Sequence, residues 1–115
     1  MLNKAFVIGR LVRDPEMRMT ASGVALTQFT VAVDKPYKNE QGERGADFLR
    51  VVTWRRLAEI AGQYLKKGKL VAIVGRLQMD NYEKDGQLRQ SAQIVADNFQ
   101  MLDRATSPQE DMVEI

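Results

Sequence analysis

One segment of the 115-residue chain repeats its apolar residues with a helical period, and it interrupts a series of strand-like runs. Leu57, Ile60, Ala61, Tyr64 and Leu65 fall at i, i+3, i+4, i+7 and i+8, which is one stripe of an amphipathic helix. Lys66-Lys67-Gly68 follows it as a C-terminal charge and cap.

Three strand-like runs precede this helix. Residues 2–12 are rich in β-branched and apolar types and end at Arg13-Asp14-Pro15, and Gly9 inside the run predicts a bulge or sharp bend. After a turn at Ala21-Ser22-Gly23, residues 24–34 alternate, with Ala25, Thr27, Phe29, Val31 and Val33 on one side, until Lys35-Pro36 stops them. A polar loop over 37–45 leads to the third strand at 46–55. Beyond the helix, a fourth strand runs over 69–82 with Val71, Ile73, Leu77 and Met79 on one face. Lys84-Asp85-Gly86-Gln87 reads as a hairpin turn, and 88–102 returns as the fifth strand.

The order strand, strand, strand, helix, strand, strand predicts a mainly β OB-fold, a five-stranded Greek-key barrel with one helix between strands 3 and 4. A small unrelated α+β sheet also fits the order. The expected organisation is one domain over 1–102 and a short, acidic, unstructured tail over 103–115.

Composition removes most other classes. Apolar residues at 44% and charged residues at 28% fit neither a disordered chain nor a membrane span, and no secretion signal opens the chain, so a cytoplasmic location is expected. There is no cysteine and no histidine, which excludes disulfides, thiolate or imidazole metal sites, cysteine nucleophiles and histidine bases. The carboxylates are scattered over turns and the tail. No enzyme, metal or cofactor is therefore expected.

Charge is unevenly spread. Residues 97–115 hold one base against five acids, a balance of −4, whereas residues 1–96 hold 16 bases against 10 acids, a balance of +6. A basic body suits an anionic partner.

The third strand is the most informative. Phe48, Arg50, Val52 and Trp54 share one face and Leu49, Val51 and Thr53 the other. If the second face fills the barrel, Phe48 and Trp54 point outward around a cation. Bases stack on exposed rings in this way while arginine meets phosphate; rings packed under a loop or in a subunit interface would give the same pattern. Tyr82 shares a face with Arg76 near the hairpin tip, and Tyr37 stands between Lys35 and Lys38. Arg55 and Arg56 lie at the helix start, where the macrodipole disfavours cations unless an anion joins them.

A resemblance runs through these same residues. Asn3-Lys4-Ala5-Phe6-Val7-Ile8-Gly9-Arg10-Leu11-Val12-Arg13-Asp14-Pro15-Glu16-Met17-Arg18, Phe48-Leu49-Arg50-Val51-Val52-Thr53-Trp54, Leu57-Ala58-Glu59 with Tyr64-Leu65-Lys66-Lys67-Gly68, and Val74-Gly75-Arg76-Leu77 resemble bacterial single-stranded DNA-binding proteins, in collinear order over 1–102. The resemblance implies an OB-fold homotetramer that wraps single-stranded DNA in replication, recombination and repair, without catalysis or cofactor. It places the stacking positions on Tyr37, Phe48, Trp54 and Tyr82 and matching basic positions on Lys4, Arg18, Arg50, Arg56 and Lys67. An OB-fold interaction module of a replication-restart complex, similar to primosomal replication protein N, is the competing reading.

The chain departs from the family twice. Tyr37, Phe48 and Tyr82 stand where tryptophan is frequent, and Asp80-Asn81 where basic residues are frequent. Family members also carry a long linker and an acidic ending with proline and an aromatic residue. Here Glu110-Asp111-Met112-Val113-Glu114-Ile115 is acidic and apolar without that ending; it is a candidate contact for replication and repair proteins, with an inert frayed end as the alternative.

Overall fold

The structure is a computed structural model that describes residues 1–103. The expected tail contact at Glu110 to Ile115 lies outside the described residues. The elements are β1 (Ala5–Leu11), β2 (Glu16–Met19), β3 (Ala25–Asp34), β4 (Ala46–Trp54), α1 (Arg55–Tyr64), β5 (Leu70–Lys84) and β6 (Gln87–Met101).

The sheet order is β1-β5-β6-β4-β3-β2, and β1 also pairs with β3, which closes β1, β3, β4, β6 and β5 into a ring. β4 and β6 run parallel and every other pair is antiparallel. This closed barrel, with its helix between the third and fourth of its strands, is the expected OB-fold. β2 is an addition that the periodicity missed. Its four residues are all exposed, so it carries no buried stripe; it pairs with β3, and Met17 lies against Gly62 of α1.

Closure depends on two glycines. β1 pairs with β5 from Ala5 to Arg10 and with β3 at Arg10 and Leu11, so the strand must bend from one partner to the other at the place the sequence marks with Gly9. A Cβ there would lie 2.5 Å from the Ala32 carbonyl oxygen. At Gly75 the β5–β6 register slips, and a Cβ would lie 2.1 Å from the Val95 carbonyl oxygen. Only a hydrogen fits at either position.

Leu11, Phe29, Val31, Val51, Val71, Ile73, Ile94 and Phe99 fill the barrel, and Ala61 and Leu65 join them from the helix side. The buried hydroxyls are satisfied: Thr27 Oγ1 donates to the Ala58 carbonyl at 2.7 Å and Thr53 Oγ1 to the Thr27 carbonyl at 3.0 Å. The first bond ties α1 to β3, and the second ties β4 to β3.

Three expectations need correction. The helix ends at Tyr64, with Leu65 as its C-cap and no basic residue in the last turn. Lys66 to Lys69 instead form a tight turn that delivers the chain to β5, with Gly68 at φ 88 bonded through its N–H to Leu11. Tyr64 of the expected apolar stripe is exposed, and Ala58 is buried in its place, because small residues let the helix approach β3. Leu77 and Met79 share the parity of Val71 and Ile73 yet are exposed, since β5 and β6 extend past the end of the barrel.

Candidate nucleic-acid interface

Residues directly opposite one another in a ladder project from the same side of the sheet. The register therefore sets out the outer face of the barrel rung by rung. Leu26 of β3 is opposite both Trp54 of β4 and Arg18 of β2. Gln28 is opposite Val52 and Glu16; Val52 in turn neighbours Val95, and Val95 neighbours Arg76. The next rung carries Thr30, Arg50, Gln93 and Gln78, and the one after it pairs Ala32 with Phe48. Phe48 and Trp54 stand six positions apart, about 20 Å along β4, with Arg50 between them.

The alternation along β4 holds for its large residues. Phe48 is 66% exposed and Trp54 41%, while Val51 and Thr53 are fully buried. Val52 departs from its row and is buried at 2% exposure. It is short, lies between Gln28 and Val95, and is overshadowed by longer neighbours.

Tyr82 sits on the projecting hairpin, opposite Arg89, a cation that the sequence patterns did not single out. It was legible, because a two-residue turn at Asp85-Gly86 fixes the partners along the hairpin from Lys84 back to Gly75, where the register slips. Both turn residues have positive φ, 55 and 74, as the favoured hairpin turn requires. Tyr37 lies in the 37–45 loop rather than in the sheet. Its ring centroid is 6.0 Å from Lys35 Nζ, and Lys35 is itself held 2.7 Å from Asp47. The hydrogen bond to Asp47, and then the charge of that carboxylate, raise the Lys35 pKa above its ordinary 10.5.

The basic candidates divide by their partners. Lys4 pairs with Asp97 at 3.7 Å, Lys35 with Asp47, and Arg56 with Glu59 at 3.6 Å. Among the described residues, Arg18, Lys38, Arg50, Arg55, Lys67 and Arg76 have no carboxylate within salt-bridge distance. Arg18 instead donates to Gln28 Oε1 at 2.7 Å. Lys67 offers its side chain to solvent while its backbone N–H donates to Asp14. Arg55 and Arg56 open α1, whose N-terminus has neither a side-chain cap nor an acidic residue in its first turn. Three rings and four arginines thus share the outer face, with Tyr37 and the helix-start pair apart from it.

Among the described residues no cluster of three or more carboxylates could hold a metal ion, and no helix is long and apolar enough to cross a membrane.

Comparisons with known proteins bear on the chain and its fold as a whole. The profile of the Single-strand binding protein family matches residues 2–102. The single-stranded DNA-binding protein of Oceanobacillus iheyensis is 46% identical over 104 residues, which cover 90% of this chain and 65% of that protein. That of Staphylococcus aureus strain MRSA252 is 46% identical over 108 residues, 93% of this chain and 69% of the relative. The chain thus spans about two thirds of the length of these relatives. A crystal structure of a deletion mutant of the single-stranded DNA binding protein from Thermus aquaticus superposes with a TM-score of 0.73 at 34% identity, over 89% of this chain and 51% of that one. On its sequence and its barrel alike, the chain belongs to the single-strand binding protein family.

Proposed function

We propose that the chain binds single-stranded DNA, as its relatives' names state of them, and that it does so without sequence selection and protects the strand during replication, recombination or repair in the cytoplasm. The observation that carries this reading is the continuous outer face on which Phe48, Trp54 and Tyr82 alternate with Arg18, Arg50, Arg76 and Arg89. Rings spaced along a strand stack successive bases, and guanidiniums between them meet phosphates. Tyr37, Lys35 and Lys38 extend the path at the 37–45 loop, and Arg55, Arg56, Lys67 and Lys4 offer further phosphate contacts. Lys4, Lys35 and Arg56 are each held by a surface ion pair, so they rank behind the unpaired arginines as phosphate contacts. The reading involves no bond making.

A homotetramer is part of the same proposal. Phe6 at 79% exposure and Ile8 at 54% project from β1, whose edge opposite β5 pairs with β3 only at Arg10 and Leu11. An apolar, largely unpaired strand edge suits a second copy of the chain. Replication and repair proteins are the partners proposed for the acidic residues 110–115.

Titration of Trp54 fluorescence with oligo-dT, at low and high salt and with duplex DNA as competitor, tests the binding reading. Quenching that resists duplex and keeps a high-salt component is the expected result. No quenching by a folded protein, or equal competition by duplex, would point to a protein partner instead.

A further inference from the structure

The two ends of β5 differ in charge. From Met79 to Gln90 the projecting hairpin carries Lys84 and Arg89 against Asp80, Glu83 and Asp85, so its tip has no excess of cations. At the other end, where β1 finishes and β5 begins, Arg10, Arg13, Lys66, Lys67 and Lys69 gather against Asp14, Glu16 and Asp103.

Backbone bonds assemble this second end. The Gly68 N–H donates to the Leu11 carbonyl at 2.8 Å, the Leu11 N–H to the Lys69 carbonyl at 3.1 Å, and the Lys67 N–H to Asp14 Oδ1 at 2.9 Å. The 66–69 turn is thereby fixed beside the β1–β2 turn. Two of the three carboxylates are already engaged, Asp14 by the Lys67 N–H and Asp103 by Arg10 at 3.0 Å and the Leu70 N–H at 2.8 Å. Arg13, Lys66, Lys67 and Lys69 have no carboxylate within salt-bridge distance among the described residues.

These cations join the outer face across β3. Arg50 is registered on Thr30 from the β4 side, and the Val12 N–H donates to the Thr30 carbonyl at 3.0 Å from the other side. Arg13 follows Val12, and Arg13, Thr30 and Arg50 line one cleft. The flanking strands are two ladder spacings apart there, about 10 Å. A flexible polyanion that meets Arg50 therefore finds an excess of cations across β3 and none at the hairpin tip. We propose that the bound strand crosses β3 between Arg50 and Arg13 and continues along the 66–69 turn, where Arg13, Lys66 and Lys67 each neutralise a phosphate. The inference rests on the single-strand-binding reading and adds to it a route off β4. Phosphate contacts carry no sequence information, so the route raises affinity without selecting bases. Glu16 lines the same cleft, has no hydrogen-bond or ion-pair partner among the described residues, and opposes a phosphate there.

The test compares oligo-dT of about 6 and about 16 nucleotides, within the range that one OB-fold binds. Salt titrations are run on the full chain and on a variant that combines Arg13→Ala, Lys66→Ala and Lys67→Ala, three exposed positions whose loss leaves the barrel folded. With the long oligo, the slope of log K against log salt falls by about 2 in the variant, at about 0.7 for each phosphate no longer neutralised. With the short oligo, which the rings and arginines of β4 hold, the slope stays as it is in the native chain. Glu16→Gln strengthens binding of the long oligo. An unchanged slope with the long oligo, an equal fall at both lengths, or weaker binding by Glu16→Gln overturns the route while leaving single-strand binding in place. So does tighter binding by the triple variant, the result expected if an acidic peptide occupies these cations instead of DNA. Failure of the native chain to bind either oligo overturns both readings.

Discussion

Trp54 and Arg55 are neighbours in sequence and opposites in backbone: Trp54 is extended at φ −126, and Arg55 turns into the left-handed region at φ 59. This single reversal converts β4 into α1 and leaves the indole at the rim of the outer face. A side chain in that region costs about 1 to 2 kcal/mol, and two arginines at a helix N-terminus add an unfavourable charge. Arg55→Gly should therefore raise stability by up to about 1 kcal/mol in urea denaturation, after the greater freedom of glycine in the unfolded chain is counted. Arg55→Val should lower it. A destabilising glycine would mean that the turn is not strained.

The outward rings contribute to binding more than to folding. Phe48→Ala and Tyr82→Ala should each weaken oligo-dT binding by about 1 to 3 kcal/mol and leave the melting temperature almost unchanged. Phe99→Ala, deep in the barrel at 2% exposure, should instead cost about 3 to 5 kcal/mol of stability. Calorimetric titration alongside thermal melts separates the two classes, and a ring whose removal unfolds the protein would not belong to the interface.

Salt dependence should distinguish unpaired cations from paired ones. Arg76→Ala, or Arg89→Ala at the hairpin, should reduce the slope of log K against log salt by about 0.7 for each phosphate that the variant no longer neutralises. Lys4→Ala and Arg56→Ala should change it less, because Asp97 and Glu59 already neutralise these side chains. Equal slopes for all four variants would show that the ion pairs open completely on binding.

The Lys35–Asp47 ion pair sets a pH limit on the Tyr37 loop. Because the Lys35 pKa is raised in the folded state, its contribution is complete below the unfolded-state value of about 10.4 and disappears as pH rises through the higher folded value. The melting difference between the native chain and Lys35→Met should stay constant from about pH 7 to about 10 and shrink only above that. A difference that shrinks near neutral pH would rule out the charged pair. With no histidine in the chain, no other side chain of ordinary pKa titrates near pH 7.

Gly9 and Gly75 should tolerate no side chain. Their added Cβ atoms meet backbone carbonyl oxygens of β3 and β6, which cannot rotate away as a side chain can. Gly9→Ala and Gly75→Ala should each cost about 2 to 3 kcal/mol or more in denaturant titration. Gly42→Ala, with nothing within 4 Å but a φ of 80, should cost only the backbone strain.

Much of this molecule is legible in the chain. Strand alternation around Phe48, Arg50 and Trp54, the helical stripe at 57–65 and the Asp85-Gly86 turn are local consequences of side-chain direction and backbone sterics, so they survive without knowledge of partners. The β2 strand does not, because four exposed residues acquire their conformation from their pairing with β3 and from the neighbouring α1. Nor does the burial of Val52, which depends on what flanks it across the sheet. The sequence alone determined which residues alternate and where the chain turns. The tertiary structure decided which strands lie side by side, and hence that Arg18, Trp54, Arg50 and Arg76 share one surface, because register and barrel closure are fixed by long-range pairing that no local pattern encodes.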